Sequence, residues 1–247
     1  MAYRRMDGRA LDELRKVEII PGVNRFAEGS CLIRCGNTEV YVTASVDDNV
    51  PPHVPEGQGW VTAEYSMLPR ANRERSRRDI SKLKLNGRAA EIQRLIGRSL
   101  RAAVDRKKLG PWNVTVDCDV LQGDGGTRTA SITGGFVAMV LAFRHMQEQG
   151  WIREMPVTAW VSAVSAGIVD DVPMLDLQYY EDSRAMVDLN CVMTGDGRLV
   201  EVQGTGEGRP FTVEEQQKLL ELCAKGNREL NALQSAALEA ARKESGR

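Results

Sequence analysis

A strand, a glycine-rich loop and a helix follow one another around residues 118–134, and no other stretch constrains the fold as strongly. An alternating apolar run at residues 112–120 predicts the strand, and an apolar run at residues 131–149 predicts the helix. Three glycines, an acid, two hydroxyls and an arginine stand between them. Such a passage can leave several backbone N–H groups aimed at one point.

The loop has two interpretations, and the spacing alone gives them similar weight. In the first, free N–H groups, the positive helix N-terminus and the forked donor Arg128 hold an oxyanion such as phosphate. In the second, the glycines only allow a tight turn. The loop is not a Walker motif, because no Gly-Lys-Ser/Thr follows. It is not a dinucleotide fingerprint either, because Arg128 stands where the third glycine belongs.

Length and composition indicate a globular chain with a substantial core. The 247 residues, 42% of them hydrophobic, suffice for one large domain or two small ones. No apolar run approaches the roughly 18 residues of a membrane span, so no membrane partner is expected. The polar residues 1–15 contain no secretion signal, and five cysteines without a C-x-x-C pair favour reduced thiols. We therefore expect a cytoplasmic protein.

Positive charge is concentrated in one segment, although the formal net charge is only −1. Residues 70–108 carry 14 Lys/Arg against 4 Asp/Glu, and the rest of the chain carries 19 against 30. Within this segment, residues 68–78 have no apolar period and predict a mobile basic loop. Its arginines are Arg70, Arg73, Arg75, Arg77 and Arg78. A segment of this kind favours a polyanionic partner, but a solvated charged surface is the commoner explanation of a single charge run.

The order of predicted elements gives an α+β fold in one continuous domain, residues 1–247. A charged arm (1–16) precedes strands at 17–20, 30–34, 39–46 and 60–66, and an amphipathic helix spans 88–104. The central strand, loop and helix come next. Strands at 157–169, 174–179, 184–193 and 199–203 then precede a helix from 212 to about 230 and a helical tail (231–247). The strands at 30–34 and 39–46 are predicted to form a hairpin.

Two acids of the second half, Asp176 and Asp182, form a candidate cation site. On one straight strand, residues six apart would be about 20 Å from each other. A turn at residues 181–184 would instead bring the two carboxylates together on adjacent strands. Facing carboxylates suit Mg²⁺ or Mn²⁺. An acidic turn in water is the better explanation of these residues alone, but a nearby phosphate cradle and basic channel favour the metal, because phosphoryl transfer uses all three.

Several long blocks resemble the ribonuclease PH family, which includes polynucleotide phosphorylase and exosome ring subunits. They include DGR at 7–9, AEGS at 27–30, GWVTAEYSMLPR at 59–70, EIQRLIGRSL at 91–100, the glycine loop, and VEVQGT at 200–205. The similarity extends from about residue 5 to about residue 230. The chain departs from the usual family pattern at Met6, Ala89, Gly123, Gln178 and Tyr180.

The resemblance implies a fold like domain 2 of ribosomal protein S5 and a homo-hexamer built as a trimer of dimers. It implies phosphate ligands at Arg88, Gly126, Thr127 and Arg128. It also implies an acidic pair at Asp176 and Asp182, which would be catalytic and hold Mg²⁺ or Mn²⁺. The basic-loop arginines would bind RNA.

The implied activity is a reversible, phosphate-dependent 3′→5′ exoribonuclease that trims precursor tRNA, with ribosomal RNA as a further substrate. Inorganic phosphate would be the co-substrate and nucleoside diphosphates the products. One alternative is a non-catalytic RNA-binding ring subunit, which would have lost some of the six site residues that this chain keeps. The other is a hydrolytic nuclease, which would need more acids to hold a second metal.

Overall fold

The structure, a computed structural model, describes residues 4–78 and 87–245, which form nine strands and five helices. The ends of the predicted arm (1–3) and tail (246–247), and part of the basic segment (79–86), lie outside the described residues. In chain order the elements are β1 Val17–Pro21, β2 Gly29–Cys35, β3 Thr38–Asp47, β4 Trp60–Met67, α1 Gly87–Arg101, α2 Arg106–Leu109, β5 Asn113–Gln122, α3 Thr127–Glu148, β6 Val161–Val169, β7 Val172–Leu175, α4 Tyr179–Asp182, β8 Val187–Thr194, β9 Leu199–Gly206 and α5 Val213–Ser245.

Five strands of the first half form one mixed sheet, in the order β1-β2-β3-β5-β4. The predicted hairpin of β2 and β3 is confirmed, with Cys35 paired to Thr38 next to the turn. β4 lies at the edge and runs parallel to β5, while the other pairs are antiparallel. The alternation of apolar residues in β3 places Val40, Val42 and Ala44 in the core.

The second sheet contains four antiparallel strands in the order β7-β6-β8-β9. Every residue of β6 is buried, because the sheet packs against helices α3 and α5. Helix α5 is continuous over 33 residues, so the predicted tail continues the same helix. A capping box precedes its first turn, with the Glu215 N–H donating to the Thr212 hydroxyl at 3.2 Å and the Thr212 N–H donating to the Glu215 carboxylate at 2.8 Å.

Helix α3 is the central element, as its apolar surface predicts. It contacts β2 and β3 of the first sheet and β6 of the second, and Phe136 and Phe143 are almost completely buried. The helix begins at Thr127, four residues before the predicted start, so the Gly-Thr-Arg triplet itself forms its N-terminus. This position brings the glycine loop to the junction of the two sheets.

The structure corrects two parts of the sequence interpretation. Two short helices, α2 and α4, were not predicted, because four residues are too few for a helical period. The prediction that Asp176 and Asp182 lie on adjacent strands is wrong. Asp176 follows β7, Asp182 ends α4, and β6 separates β7 from β8 in the sheet.

In the described ranges, no helix is long and apolar enough to cross a bilayer.

Candidate functional site

The glycine loop makes its turn with two consecutive residues in the left-handed region, Gly125 at φ +77° and Gly126 at φ +66°. Gly126 is the N-cap residue of α3, and no side chain caps this helix end. The first peptide N–H groups of a helix have no partner within the helix, and the helix dipole adds about half a positive charge there. The N-terminus of α3 is therefore suited to an anion.

Two arginines from different helices converge on this helix end. Arg128 is the second residue of α3 and Arg88 the second residue of α1. The Tyr65 hydroxyl lies 2.8 Å from the Thr127 hydroxyl. Burial raises the pKa of Tyr65, and this rise is opposed by the Thr127 hydrogen bond and by the charges of Arg88 and Arg128. The structure thus brings together the predicted phosphate ligands Arg88, Gly126, Thr127 and Arg128.

A chain of polar contacts supports Arg128 from behind. Arg128 Nη1 donates to Gln203 Oε1 at 3.2 Å, and Gln203 Nε2 donates to Glu201 Oε1 at 3.3 Å. Arg98 of α1 holds both oxygens of Glu201, at 2.6 and 3.0 Å. The sequence interpretation assigned no function to these residues, although Glu201 and Gln203 lie in one of the family-like blocks.

Asp182 faces the two arginines from the end of α4. Burial raises the pKa of Asp182 above its ordinary value, and the nearby charges of Arg128 and Arg88 oppose this rise. Asp182 therefore lies on the same side as the candidate phosphate ligands. This placement agrees with the predicted proximity of an acid to the phosphate cradle.

The second acid beside Asp182 is Asp188 of β8, which the sequence interpretation did not select. Burial and then the charge of Asp182 raise the pKa of Asp188 to about 6. Asn190 donates to Asp188 Oδ2 at 3.0 Å, but within the described chain the buried Oδ1 has no hydrogen-bond partner. Asp188 also follows Asp182 by six residues, the same spacing that drew attention to Asp176.

Asp176 has a different environment, and the geometry does not support its predicted role as a cation ligand. Its carboxylate oxygens accept hydrogen bonds from Arg15 Nη2 at 2.7 Å, Arg15 Nε at 3.0 Å and the Arg15 backbone N–H at 2.7 Å. Burial alone would raise the pKa of Asp176, but Arg15 and then Arg9 hold it below its ordinary value. A carboxylate bound on both oxygens by a buried arginine has little capacity left for a metal.

The basic loop borders the site on a further side. Arg70, Arg73, Arg75, Arg77 and Arg78 are all exposed. Arg70 and Arg73 line a groove of about 520 Å³ that also includes Gly123 and Asp124 of the glycine loop and Tyr180 of α4. The groove therefore extends from the basic loop to the first residues of the glycine loop, and the four predicted phosphate ligands do not line it. Among the residues that the structure describes, no group of three or more His, Cys, Asp and Glu side chains could hold a metal ion.

Comparison with known proteins decides the family. A model of the 3′ exoribonuclease family, domain 1, matches residues 13–144, and a model of domain 2 of the same family matches residues 159–226. The chain belongs to the 3′ exoribonuclease family. The two matches divide the chain between the two sheets.

Relatives of the 3′ exoribonuclease family match nearly the whole chain. Ribonuclease PH of Syntrophomonas wolfei is 53% identical over 235 residues, covering 95% of this chain and 98% of the relative. Ribonuclease PH of Caulobacter vibrioides is 55% identical over 231 residues, covering 93% and 97%. Identity this high over nearly the whole of each chain means that this chain and these relatives share one fold.

Two solved structures with the same fold are chains of archaeal exosomes. A chain of the Archaeoglobus fulgidus exosome with RNA bound to the active site matches with a TM-score of 0.80 at 27% identity, covering 93% of this chain and 92% of that chain. A chain of an archaeal exosome core matches with a TM-score of 0.75 at 27% identity, covering 94% and 91%. The predicted α+β class and its family-like architecture are thereby confirmed.

Proposed function

We propose that this chain is a phosphate-dependent 3′→5′ exoribonuclease that shortens RNA and releases nucleoside diphosphates. The observation that carries the proposal is the meeting of Arg88, Arg128 and the uncapped N-terminus of α3 opposite Asp182 and Asp188. This arrangement offers an anion site beside two carboxylates, as phosphoryl transfer requires. Membership of the 3′ exoribonuclease family and the name ribonuclease PH of its relatives support the same activity.

Inorganic phosphate binds at the helix end as the attacking group. Arg128 and Arg88 neutralise its charge, the first N–H groups of α3 bind its oxygens, and the Thr127 hydroxyl is oriented by Tyr65. Gln203 fixes the guanidinium of Arg128 from behind. Holding both reactants in place supplies much of the rate enhancement in a reaction that has little need of covalent catalysis.

The reaction exchanges one P–O bond for another. A phosphate oxygen attacks the phosphorus of the last phosphodiester in line, and the bond to the 3′ oxygen of the preceding nucleotide breaks. The leaving oxygen takes up a proton, and the attacking hydrogen phosphate gives one up, so the exchange balances without a net proton donor from the protein. The products are a nucleoside diphosphate and an RNA shorter by one nucleotide. The bond energy is conserved, so the reaction is reversible.

Asp182 and Asp188 are suited to a divalent cation, Mg²⁺ or Mn²⁺. The fit rests on the buried Oδ1 of Asp188, which has no partner among the described residues, and on the proximity of a second carboxylate. Mg²⁺ is commonly bound by one or two carboxylates together with substrate phosphates. When bound, it would offset negative charge on the scissile phosphate. Asp182 with Asp188 replaces the pair expected from the sequence, Asp182 with Asp176.

RNA approaches along the basic loop with its 3′ end first. Arg70 and Arg73 line the groove that leads to the glycine loop, and exposed arginines bind a phosphate backbone without regard to sequence. We propose the precursor tRNA 3′ end as the main substrate and ribosomal RNA as a further one, by analogy with the family.

The assembly, the domain organisation and the compartment follow the same analogy. A homo-hexamer is proposed because the fold is that of exosome ring subunits. The chain is proposed to act as one domain, since α3 packs against both sheets. A reducing compartment, the cytoplasm, suits five cysteines that are all free and buried. A silent RNA-binding subunit is disfavoured, because both arginines and the acids of the site are retained.

The deciding experiment uses a short 3′-labelled RNA with Mg²⁺, with and without inorganic phosphate, and identifies the released nucleotide. We expect nucleoside diphosphate only when phosphate is present. Nucleoside monophosphate without phosphate would mean hydrolysis, and RNA binding without release would mean a silent subunit.

The variant Arg128→Ala tests the phosphate site within the same assay. Removing one preorganised charged donor should lower kcat/KM by about 10²–10³-fold while RNA binding persists. Arg153→Ala is the matched control, since Arg153 is an exposed arginine beyond the end of α3. Unchanged phosphorolysis in Arg128→Ala would refute the assignment of the phosphate site.

A further inference from the structure

Two loops from different sheets meet at the site and are held together through one buried ion pair. The phosphate loop, residues 123–128, connects β5 to α3, and the acid loop, residues 176–182, connects β7 to the end of α4. The two loops are in backbone contact. Tyr179 N–H donates to Asp124 O at 3.1 Å, and a Cβ added to Gly125 would lie 2.5 Å from Leu177 O.

Arg15 connects both loops with one guanidinium. Its Nη2 and Nε donate to the two carboxylate oxygens of Asp176 at 2.7 and 3.0 Å. Its Nη1 donates to the backbone O of Asp124 at 2.6 Å, two residues before Gly126. The Arg15 side chain is 5% exposed and that of Asp176 is 8% exposed, so solvent screens this pair little.

Asp176 is itself held in an unusual backbone conformation. Its φ is +51°, in the left-handed region, which is uncommon for a residue other than glycine. The backbone O of Asp176 accepts from Arg5 Nη2 at 2.9 Å, and its side chain accepts from Arg15. A strained conformation persists only where its surroundings enforce it, and here the surroundings are arginines of the N-terminal arm.

We propose that Arg15 and Asp176 are positioning residues, which set the separation between the phosphate loop and Asp182 of the acid loop. The inference rests on the proposed phosphorolysis and adds a function for the N-terminal arm. The pair touches neither reactant. It holds Asp124 on one side and the start of the acid loop on the other, so that the phosphate site and Asp182 keep a fixed separation at the scissile bond. Displacements of about 1 Å between reacting groups can cost about 10²-fold in rate.

The test compares Arg15→Lys and Asp176→Asn with the wild-type protein in phosphorolysis. A lysine keeps the charge but cannot reach three acceptors with a planar fork, and an asparagine keeps the shape but faces Arg15 with an N–H₂ group. We expect kcat to fall about 10–100-fold and the KM for phosphate to rise several-fold, with the RNA dissociation constant unchanged. Arg34→Lys is the control, because Arg34 also pairs with two carboxylates, Glu18 and Glu39, but lies in β2.

The KM for phosphate separates positioning from simple loss of folded protein, because it does not depend on how much enzyme is active. A fall in active protein with an unchanged KM in both variants would overturn the proposal. The double variant provides a second criterion. If the residues act as one pair, it should be no worse than the worse single variant.

A third result would also overturn the inference. If Asp176→Asn is inactive and rescued by excess Mg²⁺ while Arg15→Lys behaves as wild type, Asp176 acts alone as a cation ligand. The wild-type assay keeps this proposal distinct from the proposed function. Absence of phosphorolysis in the wild-type protein would refute the function itself, whatever the variants do.

Discussion

Two neighbouring acids of α4, Glu181 and Asp182, have the same charge and opposite surroundings. Glu181 is 2% exposed, and both of its carboxylate oxygens accept hydrogen bonds from Arg5, Oε1 from Nε at 2.8 Å and Oε2 from Nη2 at 2.6 Å. Asp182 faces Arg88 and Arg128 across the candidate substrate site, and the charges of two other acids, Asp188 and Glu207, also act there. The first environment is closed by the protein, and the second is left open towards a ligand.

The difference extends to the arginines around them. Arg5 also donates to the backbone oxygens of Leu175 and Asp176, at 2.7 and 2.9 Å, so its donors are used inside the protein. Arg70 and Arg73, in contrast, line an open groove. Buried charges require full compensation, whereas a binding site keeps charge available for its ligand. The N-terminal arm therefore stabilises the fold beside the candidate site, where charges left free for a ligand destabilise the folded protein.

The largest effect on stability is expected when Arg5 is removed from its buried ion pair with Glu181. In Arg5→Met, Glu181 would remain buried without its closest cation, with only Arg9 Nη2 at 3.7 Å and the Gln178 N–H at 3.1 Å left to it among the described residues. We expect the free energy of unfolding to fall by about 3 kcal/mol. Urea unfolding followed by circular dichroism measures this change. The double variant Arg5→Met/Glu181→Leu should recover part of the loss, because it removes the uncompensated charge.

Arg34→Met is the control for the loss of an arginine in an ion pair. Arg34 pairs with Glu18 and Glu39 on the sheet surface, where its side chain is 37% exposed, and exposed pairs contribute little. If Arg5→Met lowers the free energy of unfolding no more than Arg34→Met does, the buried ion pairs of the N-terminal arm contribute no more to stability than exposed pairs.

A smaller effect, a gain in stability, is expected when Asp188 of the candidate site is replaced. The pKa of Asp188 is raised to about 6 in the folded protein, from an ordinary value of 3.8. The folded state therefore binds the proton more tightly than the unfolded state, so this contribution to stability is complete below pH 4 and is lost as pH rises through about 6. At pH 8 the folded protein contains a poorly compensated carboxylate.

Asp188→Asn removes that penalty and should raise the free energy of unfolding at pH 8 by about 1–2 kcal/mol, while phosphorolysis is lost. The gap between variant and wild type should shrink as pH falls from 8 to 5. Unfolding curves at both pH values give the measurement. A variant less stable than wild type at pH 8 would mean that Asp188 is compensated within the protein.

The open phosphate site could be predicted from sequence far better than the closed network. The residues Gly126, Thr127 and Arg128 are adjacent in the chain, so a strand, turn and helix pattern locates them together. The central helix and both hairpin strands are likewise local patterns, and they were predicted within a few residues. Local sequence spacing carries this information directly.

The acid that accompanies Asp182 could not be identified from local sequence. Asp176 and Asp188 both lie six residues from Asp182, and spacing cannot distinguish them. The structure does so through Arg15, which is 161 residues from Asp176 and occupies its carboxylate. The packing of an arm against a distant loop is a tertiary contact, and neither periodicity nor composition encodes its partner.

The smallest effect on stability is expected at the basic loop, whose exposed arginines are proposed to contact only the RNA. Arg73→Gln/Arg75→Gln should leave unfolding unchanged, because both side chains are exposed and form no ion pair within the described residues. RNA affinity should fall, and the slope of log K against log salt should decrease by about 0.7 for each lost phosphate contact. Arg153→Gln/Arg228→Gln changes the net charge equally at two exposed positions outside the loop, so it should leave this slope unchanged. Equal slopes for both double variants would mean that RNA senses the overall charge and that the loop is no specific part of the site.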